Sequence, residues 1–249
     1  MTPSPPRPRP SLHLTPRLFL FDIDGTLVYF RGAGRRAALT AFREIFQIPD
    51  PESLTRGVHL AGSTDSKIMR ELAEACGVPA GQYDLRQEDV RARYLHYLND
   101  EIAAFDADPI LPGVLPLLTR LNERPDCHLA LLTGNYETGA RIKLEPTGLN
   151  PFFPVGGYGD DHEDRRVVAR VAFERACQHH RVKPSPTDVY VIGDTVHDVD
   201  CAKANGFQAV AVCTGQYSRD QLHAAGADVV LDTLDTAHDA FSLSIEPLR

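Results

Sequence analysis

The chain of 249 residues has no tryptophan, two methionines and only four lysines. No stretch of it approaches the ~20 apolar residues of a membrane span, so no membrane partner is expected. Its five cysteines (Cys76, Cys127, Cys177, Cys201 and Cys213) are odd in number and scattered, without a Cys-x-x-Cys pair. They read as reduced thiols of a cytoplasmic protein and argue against a disulfide framework. Positive charge is in deficit: Lys and Arg total 26 against 34 Asp and Glu, a formal net charge of -8. Such a surface does not suit the phosphate backbone of a nucleic acid. A small phosphorylated ligand stays compatible, because it needs one local cationic pocket. The first sixteen residues hold six prolines and no apolar h-region, which predicts a disordered tail rather than a signal peptide.

What is present describes a globular protein: 43% hydrophobic and 24% charged residues, at a length that fits a core domain plus a smaller one. Three short apolar runs, Leu18 to Phe21, Leu129 to Leu132 and Val189 to Ile192, each end abruptly in polar or glycine residues. Runs of this kind suit strands buried on both faces of a parallel sheet. Phe207 to Val212 and Asp228 to Leu231 read as further strands. Helical patterns at 113–124, 136–147, about 163–181, 198–205 and 218–225 alternate with them. The fold class expected is therefore α/β: a doubly wound parallel sheet with a Rossmann-like core. Residues 32–108 break the alternation and read as helices only, roughly 34–47, 64–76 and 87–104. They predict an all-helical insert, with the core divided between 17–31 and 109–249.

In open α/β sheets ligands bind beyond the carboxyl ends of the strands. The three runs deliver Asp22 and Asp24, then Thr133, then Asp194 with Asp198 four residues on. If the strands are parallel neighbours, all five converge on one cleft. The segments Asp22-Ile23-Asp24-Gly25-Thr26, Leu132-Thr133-Gly134-Asn135 and Gly193-Asp194-Thr195-x-x-Asp198 resemble the first, second and fourth signatures of the haloacid dehalogenase superfamily. The order of the signatures and the apolar run before each also match, over residues 17 to about 235. The helical insert after the first signature resembles the cap of the phosphoglycolate-phosphatase-like branch.

That resemblance implies a phosphate-ester hydrolase acting on a small phosphorylated metabolite, as a monomer or homodimer. Asp22 would be the nucleophile, and Asp24 the acid and base for leaving group and water. Thr133 would donate to a phosphate oxygen, with Gly25, Thr26, Gly134 and Asn135 lining the phosphate position. Four carboxylates facing an anion would repel one another, and a hard divalent cation resolves this. The family's cation is Mg²⁺, its ligands here Asp22, the main-chain oxygen of Asp24 and Asp194, with Asp198 assisting directly or through water.

The third signature, a basic clamp, is not evident in its usual form. Lys183 precedes the strand that carries Asp194 and is expected at its wrong end. Arg165, Arg166 and Lys143 remain as candidates. Arg165 and Arg166 follow a loop at the catalytic edge. Lys143 stands ~12 Å along its helix from Asn135 and would need to reach back. The acidic run from Asp160 to Asp164 reads as helix capping rather than a second metal site. His197 could touch substrate or face solvent. Arg31, Arg35 and Arg36 could hold a substrate anion or merely begin a surface helix, and Gly62-Ser63-Thr64-Asp65 could be a specificity loop or a helix start. A phosphomutase, a dehalogenase and a catalytically silent binding protein are the alternatives. Asp24, which a halide leaving group does not require, speaks against the second. Retention of both Asp22 and Asp24 speaks against the third.

Overall fold

The structure is a computed structural model that describes residues 15–58, 61–237 and 241; residues 1–14 of the proline-rich segment lie outside it. Six strands form one sheet: β1 (Arg17–Phe21), β2 (Cys127–Leu132), β3 (Gly156–Gly157), β4 (Val189–Gly193), β5 (Gln208–Val212) and β6 (Val229–Leu231). Their order is β3-β2-β1-β4-β5-β6, and every pairing is parallel.

Strand periodicity explains why the apolar runs are continuous. Phe19, Phe21, Leu129 and Leu131 point into one buried cluster, Leu18, Leu20, Ala130 and Leu132 into another on the opposite face. The first cluster takes in α5 (Val114–Asn122) and α6 (Glu137–Leu144); the second takes in α7 (Arg165–His180), α8 (Val196–Ala204) and α9 (Arg219–Ala224). A strand covered on both sides has no position to spare for a polar residue until it leaves the sheet.

Between β1 and α5 the chain is helical: α1 (Ala33–Phe46), α2 (Pro51–Leu54), α3 (Asp65–Ala75) and α4 (Ala80–Ala103). Leu39 and Phe42 of α1, Met69 and Leu72 of α3 and Val90 and Leu98 of α4 belong to the same apolar cluster as Phe19 and Phe21. The helix expected from residue 87 starts at Ala80. Its first turns bury only Tyr83 and leave Leu85 86% exposed, so they carry no apolar periodicity. The short α2 is set by local chemistry: the Asp50 side chain accepts from the Ser53 amide, and Pro51 takes the first helical position. Strand β3, read in sequence as loop, consists of two glycines and gives no apolar signal. No helix among the described residues is long and apolar enough to cross a membrane.

Candidate active site

Register fixes the site. Phe21 lies opposite Leu131 on one side and Ile192 on the other, so β1, β2 and β4 end at the same level. The Asp22 amide still bonds the Ile192 carbonyl at 2.9 Å, and the Thr133 amide bonds the Gly157 carbonyl at 3.1 Å. Each polar residue thus emerges at the carboxyl edge of a strand that cannot slide.

Two groups of side chains result. In the first, carboxylate oxygens of Asp22, Asp194 and Asp198 lie within 4.8 Å of one another, all buried. Burial pushes Asp22 up to about 7, with Arg165 opposing and Asp198 and Asp24 adding to the rise. Asp194 is pushed up to about 8, by burial first and then by the charges of Asp198 and Asp22. Arg165, at the start of α7, lies 3.2 Å from Asp22 Oδ1 and donates to Asp198 and to the Gly62 carbonyl. Its Nε is buried without a partner, which leaves one donor of the guanidinium unused. The other oxygen of Asp198 closes a capping box, accepting from the Thr195 amide at 3.0 Å and hydroxyl at 2.6 Å.

The second group surrounds Asp24, whose carboxylate is half exposed. Lys143 Nζ donates to Asp24 Oδ2 and to Asn135 Oδ1, both at 2.6 Å. Asn135 Nδ2 donates to the same Asp24 oxygen and to Thr133 Oγ1, both at 2.8 Å. Between the groups, Gly25 holds φ +77°, and a Cβ there would stand 2.4 Å from Asp194 Oδ2. Only glycine meets both demands. Thr26 is fully buried, with its hydroxyl 3.4 Å from Asp194 Oδ1, so it supports that carboxylate from behind.

Two of the three basic candidates therefore stand in the site, one on each aspartate of the first signature. Arg166 is turned outward onto Asp200 at 2.7 Å. Lys183 is exposed beyond the amino end of β4. The acidic run is used locally: Asp164 caps α7 through the Arg166 amide, Asp161 holds Arg175 at 2.6 Å, and Asp160 accepts from the Glu137 amide. His197 is exposed beside Gly62, and Cys213 is half-buried. Arg36 pairs with Glu101 at 2.7 Å.

The segment Gly62-Ser63-Thr64-Asp65 both starts α3 and supplies Gly62, Ser63 and Asp65 to the cavity wall, and Tyr94, which the sequence did not mark, joins them. Asp65, the first residue of α3, donates its amide to the Gly134 carbonyl at 2.7 Å and accepts from the Tyr136 amide at 2.8 Å. Burial pushes its carboxyl up to about 6, with Lys143, the Tyr136 amide and the nearby Tyr94 hydroxyl opposing. On the same seam Arg91 of α4 pairs with Asp160 and lies 4.4 Å above the Tyr136 ring. The helical segment is fastened by these contacts to the loop that carries Thr133 and Asn135. Nothing local marks Asp65, because an Asp after Thr64 reads equally well as the start of a helix.

Beneath the helices lies a cavity of about 500 Å³. Asp22, Asp24, Lys143 and Arg165 line it, with Phe30, Ala33, Ala38, Ile68 and Met69 as apolar wall and Ser63, Gly134, Asn135, Arg35, Thr214 and Gln216 among the polar lining. The family model of haloacid dehalogenase-like hydrolases matches residues 16–206, which takes in all three signatures. The chain belongs to that family.

Relatives of this hydrolase cover nearly its whole length. It is 25% identical over 242 residues to the probable phosphatase IndB of Dickeya dadantii, covering 93% of this chain and 97% of the relative. It is 30% identical over 228 residues to a phosphoglycolate phosphatase of Rhodospirillum rubrum, covering 90% of each. Among solved structures, a haloacid dehalogenase-like hydrolase from Streptococcus pneumoniae superposes with a TM-score of 0.66 at 21% identity. That match covers 91% of this chain and 98% of the other.

Proposed function

We propose that this hydrolase is a Mg²⁺-dependent phosphatase in which Asp22 attacks the phosphorus of a small phosphorylated metabolite. The observation that carries the reading is the division of labour between the two aspartates. Asp22 is buried against Arg165 and two further carboxylates, whereas Asp24 is half exposed and held by Lys143 and Asn135. That difference supports Asp22 as the attacking group and Asp24 as the one that exchanges protons with leaving group and water.

The donor set fits a hard divalent cation. Three buried carboxylates share one buried guanidinium, and two of them are driven toward protonation by burial and mutual charge. Asp22, Asp194 and the main-chain oxygen of Asp24 would hold the ion. Asp198 has one oxygen on Arg165 and the other on Thr195, so it would act through water. Bound Mg²⁺ would neutralise the carboxylates and polarise the phosphoryl group.

The chain's own groups do the rest. An Asp22 oxygen forms a bond to phosphorus while the ester P–O bond breaks, and Asp24 gives its proton to the departing alkoxide. Water then attacks the aspartyl-phosphate, passes a proton to Asp24, and frees Asp22 and phosphate. Arg165 and the Thr133 hydroxyl would hold the phosphoryl oxygens, Gly134 and Asn135 their surroundings. Residues 32–108 would act as a cap on the core formed by 17–31 and 109–249, excluding water during transfer. The test is turnover of p-nitrophenyl phosphate with Mg²⁺ and with chelator. Chelation should abolish it, and Asp22→Asn should lower it by several orders of magnitude. Full turnover under exhaustive chelation, or more than a tenth of the rate left in Asp22→Asn, refutes the reading.

A further inference from the structure

We infer that the cavity takes the phosphate ester of a neutral, ring-sized, largely apolar alcohol. This rests on the phosphatase reading and narrows it. Three observations lead there, and each concerns the part of the cavity that the phosphoryl group does not fill.

The first is size. The volume of about 500 Å³ has room for roughly sixteen waters at ~30 Å³ each, far more than the nine or so non-hydrogen atoms of 2-phosphoglycolate would occupy. A small polar leaving group would leave much of that space filled with water against carbon.

The second is the chemistry of the walls. Phe30, Ala33, Ala38, Ile68 and Met69 present carbon, and they come from α1, α3 and the segment before α1. A cavity that joins the reactive groups to such carbon surface orients its ligand by the phosphoryl end and holds much of the remainder by burial.

The third is charge. Every cation among the described residues lining the cavity is already engaged. Lys143 serves Asp24, and Arg165 serves Asp22 and Asp198. Arg35, a sequence candidate for holding a substrate anion, donates to the Thr55 carbonyl at 2.8 Å and hydroxyl at 3.0 Å, with Glu52 at 3.7 Å. Asp65 adds a carboxylate to the wall. A leaving group bearing its own carboxylate or second phosphate would stand against Asp65 and meet no cation that is not already paired with a carboxylate or carbonyl.

Gly34 gives a handle on the idea. A Cβ at position 34 would lie 3.7 Å from the Tyr94 hydroxyl and 3.8 Å from Lys143 Nζ, ordinary contact distances. A larger side chain would extend into the space between the reactive end and the apolar walls. Position 34 is the second residue of α1, where replacing glycine favours the helix.

The experiment compares kcat/KM for benzyl phosphate, ethyl phosphate and 2-phosphoglycolate with Mg²⁺. All three leave as primary alkoxides, so their intrinsic reactivities are similar. Benzyl phosphate should exceed ethyl phosphate by at least ~10-fold and 2-phosphoglycolate by ~100-fold, and Gly34→Val should lower the benzyl-to-ethyl ratio ~10-fold, with Gly34→Ala between. Equal or faster turnover of 2-phosphoglycolate overturns the inference, and so does a ratio that Gly34→Val leaves unchanged. Both results leave the phosphatase reading standing. Should none of these esters nor p-nitrophenyl phosphate be hydrolysed, the phosphatase reading fails and this inference with it. The wild-type comparison decides the question even if a variant does not fold.

Discussion

Lys143 reaches back along its own helix to place Nζ 2.6 Å from Asp24, a residue 119 positions away in the chain. With Arg165 on Asp22, the site has one cation for each aspartate of the first signature. Neither cation should be dispensable. Arg165→Ala should cost on the order of 3 kcal/mol in kcat/KM, and Lys143→Ala should lower kcat ~10- to 100-fold. A silent substitution at either position would show that only the other acts as the clamp.

The Arg165 effect has a pH signature. Arg165 is the chief influence holding Asp22 down against burial, so its loss raises the pH at which Asp22 ionises. The acid limb of the Arg165→Ala profile should move to higher pH, and activity should recover partly on the alkaline side. An unmoved acid limb would separate Arg165 from the charge state of Asp22.

Stability without metal should fall as pH rises. Asp22 and Asp194 have native values of about 7 and 8, against ~3.9 for an ordinary aspartate. For a carboxyl raised on folding, the stabilisation is present below the unfolded value and is lost as pH rises through the native one. Metal-free protein should therefore melt at lower temperature near pH ~8.5 than near pH ~5.5, and Mg²⁺ should restore more at the higher pH because its ligands must be ionised. Thermal melts with and without Mg²⁺ at both pH values check this. A Mg²⁺ effect greater at the acid pH would contradict it.

How much of this was legible in the sequence depended on whether a residue's setting is local. Asp22, Thr133 and Asp194 each stand at the end of an apolar run, and the run itself announces the strand edge. By axial rise alone, Lys143, a clamp candidate, had to reach back toward Asn135. Helical side chains lean toward the amino terminus, and the lysine stem closes the remaining distance. Gly62 to Asp65 was legible only as a specificity loop or a helix start, and the fastening role of Asp65 was not, since its partner amide on Tyr136 lies 71 residues away. Strand β3 and the first turns of α4 lacked buried side chains to mark them.

Asp65 gives a separate prediction about the helical segment. Asp65→Ala removes the acceptor of the buried Tyr136 amide, so that amide should exchange with solvent faster. Loss of one such bond should destabilise the protein by about 1–3 kcal/mol and raise KM, because the loop carrying Asn135 loses its fastening. Unchanged exchange at Tyr136 with unchanged KM would mean that the contact holds nothing in place.

The covalent role of Asp22 is tested most directly in Asp24→Asn with p-nitrophenyl phosphate. Nitrophenolate leaves without a proton, so phosphoryl transfer to Asp22 should proceed while hydrolysis, which needs Asp24 to accept a proton from water, stalls. Covalent catalysis predicts a burst of one equivalent of nitrophenolate per protein, with one phosphoryl group recovered on the peptide that contains Asp22. Absence of both burst and phosphopeptide, or a phosphoryl group on another residue, would contradict it.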